Sequence, residues 1–242
     1  MNAETAQQLI AWAKHYNNRA LFLQNDPIQV PNLYRGGLLH DLEISAFLTA
    51  YLSFGNRKQI VKTAHRLDEM MNNSPYSYVR SSQWRKDFSE TDTSSFYRTI
   101  SHRDMNALFA RLYDIYSLYE TMEKAVLSVP RHFDENALFH KTCHLFGVSD
   151  KSPQKKINMF LRWMVRTDGI VDFGVWRAFS PSELIIPLDT HVAQMAAKLG
   201  LTKSNTYSLK TAITITKALA EVFPGDPCRG DFALFGYGVE ND

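Results

Sequence analysis

The chain has 242 residues, 45% of them hydrophobic and 12% aromatic, which is enough apolar surface to offset the entropy of ordering and excludes long-range disorder. Its 27 Lys and Arg against 25 Asp and Glu give a formal charge of +2, which neither demands nor excludes a polyanion, because binding depends on how basic residues cluster. Cys143 and Cys228 belong to no Cys-x-x-Cys or Cys/His cluster, which argues against a disulfide framework and against a zinc or iron–sulfur site.

Apolar residues recur at three and four positions along most of the chain, and alternating β-branched runs are scarce. An all-α fold is expected. Met1-Asn2-Ala3-Glu4-Thr5 lacks the basic start and apolar run of a signal peptide, and no stretch approaches a membrane span, so a cytoplasmic protein without membrane contact, metal or cofactor is expected. In chain order, helices are predicted over Thr5–Asn17, Leu42–Phe54, Arg57–Met71, Asp104–Tyr119, Met122–Ser128, Glu135–Phe146, Pro153–Arg166, Thr190–Leu199, Leu209–Val222 and Arg229–Tyr237. Asp41 is the expected cap of the second, Ser152-Pro153 a cap followed by proline at the first helical position, and Gly200 the stop after the Asp189 helix. Asn72–Ser101, rich in Ser, Thr, Asn and Asp with weak apolar periodicity, reads as an irregular excursion, a lobe boundary or a surface insertion. The loop Thr167–Pro187 carries Phe173, Trp176 and Phe179 and is expected to pack down.

Chemistry is concentrated in two places. In Ile185-Ile186-Pro187-Leu188-Asp189-Thr190-His191-Val192, an apolar run ends at an acid that opens an amphipathic helix buried through Val192, Met195, Ala196 and Leu199. Asp189 is either an ordinary N-cap, worth about 1 kcal/mol, or a carboxylate held ionised by amide donors and the helix dipole, suited to stabilising a developing cation or orienting an amine. Upstream, Lys155 and Lys156 fall in a first helical turn. Cations are unfavourable there, so a lowered pKa and a nucleophilic amine are expected, with two solvated surface lysines as the alternative.

The segment Pro187-Leu188-Asp189-Thr190-His191-Val192 resembles the Val-Asp-Thr-His helix start of the helix-hairpin-helix DNA glycosylase superfamily. Lys155-Lys156-Ile157-Asn158 resembles its upstream Lys-Thr-Ala-Asn motif, in the correct order. The long interval between the two motifs and the Ser-Asp-rich approach to Lys155 are similar to those of archaeal 8-oxoguanine glycosylases. As a whole the sequence looks closest to a bacterial family of uncharacterised proteins, domain of unknown function 2400. The resemblance implies one helical domain over residues 1–242, two-lobed with a cleft, with 72–101 as a possible irregular insertion. It also implies a DNA glycosylase and β-lyase acting on an oxidised purine such as 8-oxoguanine in damaged double-stranded DNA. Lys155 would attack the sugar, Asp189 would assist, and Lys156 is the reserve nucleophile should the alignment slip by one.

Two further stretches carry the likeness. Leu48-Thr49-Ala50-Tyr51-Leu52-Ser53-Phe54-Gly55-Asn56-Arg57-Lys58 is similar to the region that fills the gap left by an extruded base. It implies Asn56 as a wedge with Arg57 and Lys58 on phosphates; an ordinary interhelical turn is the alternative. Gly230-Asp231-Phe232-Ala233-Leu234-Phe235-Gly236 is similar to the segment facing the flipped base, implying Asp231 and Phe235 as base contacts, against the alternative that they are core. The superfamily's Leu-Pro-Gly-Val-Gly turn before the lysine is replaced by Asp150-Lys151-Ser152-Pro153-Gln154, so that phosphate contacts there would fall to Lys151, Ser152 and Gln154. The other readings are a noncatalytic DNA- or RNA-binding protein with the same fold and a helical scaffold with scattered charges.

Overall fold

The structure is a computed structural model that describes residues 1–130, 133 and 135–240. The all-α expectation holds: among the described residues, thirteen α-helices are joined by three 3-10 turns and one small hairpin. Two compact units emerge, one made of Met1–Phe22 and Val129–Asp242, the other of Leu23–Ser128. Helix α1 (Ala3–Tyr16) belongs to the first, and α2 (Arg19–Asn25) runs across the boundary in sequence.

The Leu23–Ser128 unit is organised on α3 (Leu39–Leu52), which buries ten of its fourteen residues. A helix apolar on all sides belongs in the middle of a core, and 3-10 turns at Pro27–Gln29 and Pro31–Tyr34 pack on it together with α4 (Arg57–Met70) and α5 (Pro75–Arg80). Its one buried acid, Glu43, accepts from Tyr116 Oη at 2.9 Å and from the Met122 amide at 3.1 Å, as a buried carboxylate must. Asp41 is not the cap of α3, which starts at Leu39. The carboxylate accepts instead from the Tyr76 amide in the first turn of α5, at 2.7 Å.

Residues 72–101 contain α5, α6 (Trp84–Asp87) and a hairpin of β1 (Ser95–Tyr97) and β2 (Ile100–Ser101). Trp84 and Phe88 are fully buried and stack on Phe109 of α7 (His102–Leu118). The capping box Ser101/Asp104 starts α7, and α8 (Met122–Leu127) ends the unit.

The other unit adds α9 (Ala137–Phe146), α10 (Lys155–Val165), α11 (Thr190–Lys198), α12 (Leu209–Val222) and α13 (Arg229–Glu240). Helix α1 packs along α13, which also packs on α11. The loop after α10 folds back as expected. The amides of Phe173 and Gly174 donate to Trp163 O at 2.8 and 3.1 Å, Trp176 N donates to Met164 O at 2.9 Å, and the Trp176 ring is wholly buried, edge-on to Phe160. Gly174 permits this return: its φ is +59°, and a Cβ there would lie 2.4 Å from Arg166 O. Gly174→Ala is expected to cost about 1–3 kcal/mol, read as a lower urea midpoint at unchanged slope; an unchanged midpoint would refute it. Among the described residues no helix is long and apolar enough to cross a membrane.

Candidate active site

The N-terminus of α11 is built around Asp189. Leu188 before it is fully buried, which fixes the chain's entry, and Asp189 itself is extended at φ −129°. Its Oδ1 accepts from the Val192 amide at 2.8 Å, so the residue is the N-cap. Oδ2 accepts from Lys155 Nζ at 2.9 Å, with the lysine and aspartate side chains 30% and 16% exposed. One oxygen therefore orients the carboxylate while the other holds an amine that solvent can reach. At its far end α11 closes on Gly200 (φ +73°), where Leu201 N reaches Ala196 O and Gly200 N reaches Ala197 O, the paired bonds of a Schellman stop.

Helix α10 starts later than Ser152-Pro153 predicts. Its N-cap position is Gln154, in the left-handed region at φ +36° and with no side-chain cap. The predicted cap fails because the polar groups before it bind one another: Gln154 Nε2 donates to Ser149 O (2.6 Å) and Ser152 Oγ (3.0 Å), Lys151 N donates to Ser149 Oγ (3.3 Å), and Asn158 Nδ2 donates to Pro153 O (2.8 Å). A glycine-free turn is thus held by side chains, with Lys151 exposed and Ser152 and Gln154 half-buried. Lys155, first in the helix, is delivered to Asp189. Lys156, next to it, is half-buried, and burial pushes its amine down to about 8. Desolvation, rather than the helix end, is the cause.

Arg162 lies seven residues beyond Lys155 on the same face of α10. It bonds Asp231 and Asp172, its Nε lying 3.2 Å from Asp172 Oδ1. Arg166, one turn further and fully buried, reaches Asp172 at 2.6 Å, Asp168 at 2.7 Å and Asp226 at 2.8 Å. Both guanidinium groups lie over the Phe232 ring, at 4.7 and 5.0 Å. Motif and spacing do not single out these arginines. The available signal is a pair of arginines four apart inside the apolar run Ile157–Val165 and its C-cap.

Asp231 sits in the first turn of α13, buried, on Arg162. Burial pushes its carboxyl up to about 6; the Arg162 charge opposes this, and the Asp189 carboxylate adds to it. Oδ2 of Asp231 is already engaged by Arg162 Nη1. Phe235, one turn on, is half-buried. The structure thus brings Lys155 and Asp189 together, with Asp231 electrostatically coupled to the pair and Lys156 half-buried beside Lys155 in sequence.

Asn56, Arg57 and Lys58 lie in the Leu23–Ser128 unit, where exposed Asn56 caps α4 by accepting from Gln59 N at 3.2 Å. Among the described residues no three His, Cys, Asp or Glu side chains gather as a metal site requires, and both cysteines are buried and free.

Neither the curated proteins nor the solved structures include a match to the chain. A family model matches residues 26–240, and the chain belongs to the family that model describes, protein of unknown function (DUF2400).

Proposed function

We propose that the protein is a DNA glycosylase with β-lyase activity on an oxidised purine, built on a helix-hairpin-helix glycosylase type of fold. The observation that carries the reading is the 2.9 Å contact between Lys155 Nζ and an Asp189 carboxylate that is itself fixed as a helix cap. A primary amine beside a preoriented carboxylate, both partly open to solvent, suits attack on the anomeric carbon of an extruded nucleotide. The amine nitrogen forms the new bond to that carbon, and the base leaves with the electrons of the glycosidic bond and takes a proton. Asp189 is placed to receive the proton that the nitrogen sheds and to stabilise positive charge on the sugar. Opening of the sugar ring then gives a protonated imine, from which loss of the neighbouring hydrogen and the 3′ phosphate cuts the strand.

Sodium borohydride reduces such an imine to a stable amine. Mixed with duplexes carrying 8-oxoguanine, uracil or an abasic site, the wild-type protein is expected to form a covalent adduct with the 8-oxoguanine and abasic duplexes, visible as a shifted band. No adduct on any of the three would refute the lyase mechanism. Salt-dependent binding without base release or adduct would favour the noncatalytic nucleic-acid-binding reading.

A further inference from the structure

The N-terminal two-thirds of α4 is electrically one-sided. From Ser53 to Leu67 the chain carries Arg57, Lys58, Lys62 and Arg66 and no Asp or Glu. Lys58, Lys62 and Arg66 are spaced at four, all exposed, so they form a straight row with a step of about 6 Å along the helix. Like charges at this spacing repel one another, and cations near a helix N-terminus oppose its dipole. Along the helix itself the arrangement is electrostatically unfavourable.

The β1–β2 hairpin extends the row. Its tip residue Arg98 is exposed, adopts φ +52°, and places its guanidinium 5.7 Å from the centre of the Phe54 ring. It also lies against Gly55, where a Cβ would come within 2.7 Å of Nη1. Tyr97 Oη donates to Phe54 O at 2.8 Å, and Arg66 sits 5.2 Å over Phe96 of β1. Cation–π contacts therefore lace the hairpin to α4 through Arg66 and to the turn before α4 through Phe54, holding two arginines in place while leaving their charge exposed. Among the described residues Lys58, Lys62, Arg66 and Arg98 have no ion-pair partner. Left-handed backbone at an arginine is costly and tends to persist where the position has a use.

We infer that Lys58, Lys62, Arg66 and Arg98 form a rail for the phosphodiester backbone of duplex DNA, reaching beyond the Asn56 turn and using the hairpin as its second wall. This rests on the nucleic-acid reading above and adds the surface of the Leu23–Ser128 unit that takes the polymer. A membrane surface fits less well. The large exposed apolar side chains described in this unit are Leu33, Leu38, Leu118 and Leu127, none of them on α4 or the hairpin, so nothing on the rail would enter a bilayer.

The test is binding of the full chain to a fluorescent duplex with a stable abasic-site analogue, titrated at several salt concentrations. Removing one cation from a phosphate lowers the slope of log K against log salt by about 0.9. The variant Lys62→Gln/Arg66→Gln/Arg98→Gln is expected to bind more weakly, with a slope smaller by about three, while Lys62→Arg/Arg66→Lys keeps the wild-type slope. Because Arg98 buttresses the hairpin, Lys62→Gln alone, at an exposed position, gives an independent reading with an expected drop of about one. Wild-type binding with the same slope in the two glutamine variants would overturn the rail and leave the nucleic-acid reading standing. No wild-type binding would overturn both, and sedimentation with phosphatidylserine vesicles in place of DNA binding would reassign the rail to a membrane.

Discussion

Lys155→Ala is expected to abolish the borohydride-trapped adduct and to slow strand cleavage by at least about 10³-fold, since a nucleophile removed from a group that works as a unit takes most of the unit's effect with it. The informative partner is Asp189→Asn. Asparagine caps a helix as well as aspartate does, so the amide of Val192 keeps its acceptor and stability should change little, while the charge opposite Lys155 is gone. A fall of about 10²–10³ in the rate of base release at unchanged melting temperature is expected. If Asp189→Asn turns over normally, the acid is only a cap.

The pH profile separates the two lysines. Burial pushes the Lys156 amine down to about 8, so an adduct formed by that residue would be weak at pH 7 and approach its plateau above pH 8. An adduct with that midpoint that survives Lys155→Ala would reassign the nucleophile to Lys156.

Arg166→Leu is expected to lower the stability of the folded protein by about 3–5 kcal/mol, the usual cost of removing one partner from a buried ion network. Arg166 is fully buried and is shared by Asp168, Asp172 and Asp226, so its loss takes one cationic partner from each of three carboxylates. Set against a total of about 5–15 kcal/mol, this is a large fraction. Arg166→Lys should not rescue it, because a single ammonium cannot span three carboxylates as a planar fork does. A urea midpoint within about 1 kcal/mol of wild type would refute the expectation.

The same network sets an acid limit. Burial works to raise the Asp168 carboxyl, but Arg166, Asn17 and the Ile170 amide together hold it below the ordinary carboxylate range. A carboxylate with a depressed folded-state pKa contributes stability that is present above its unfolded value. That contribution is lost as pH falls through the folded one.

The helices that sequence alone reveals are the long ones with a repeating apolar face, among them α1, α4, α7 and α12. Residues 72–101 resist the same reading because α5 and α6 are short, six and four residues, and are set among Ser, Thr, Asn and Asp that read as loop. Asp41 and Ser152 mislead for a different reason. Each has the right chemistry for a cap, and each is taken by a competing partner, the distant Tyr76 amide in one case and the neighbouring Gln154 side chain in the other. Asp189 and Lys155 stand out because a cap and an uncompensated charge at a helix start are local signals. Arg162, Arg166 and Asp172 are invisible for the converse reason: their meaning lies in partners as far away as Asp226 and Asp231.

The pairing of α1 with α13, with Trp12 stacked on Tyr237 at 3.9 Å and Gly236 leaving no room for a side chain against Tyr16, bears on the order of assembly. Leu23–Ser128 is one uninterrupted stretch, whereas the unit holding Lys155 is split in sequence around it. That split unit closes only when α13 reaches α1, which lies on the other side of the inserted stretch in sequence. In N-to-C synthesis Arg162 gains Asp231 as a partner only after Leu23–Ser128 has been made in full, and loss of α13 would leave α1 without the helix it packs along.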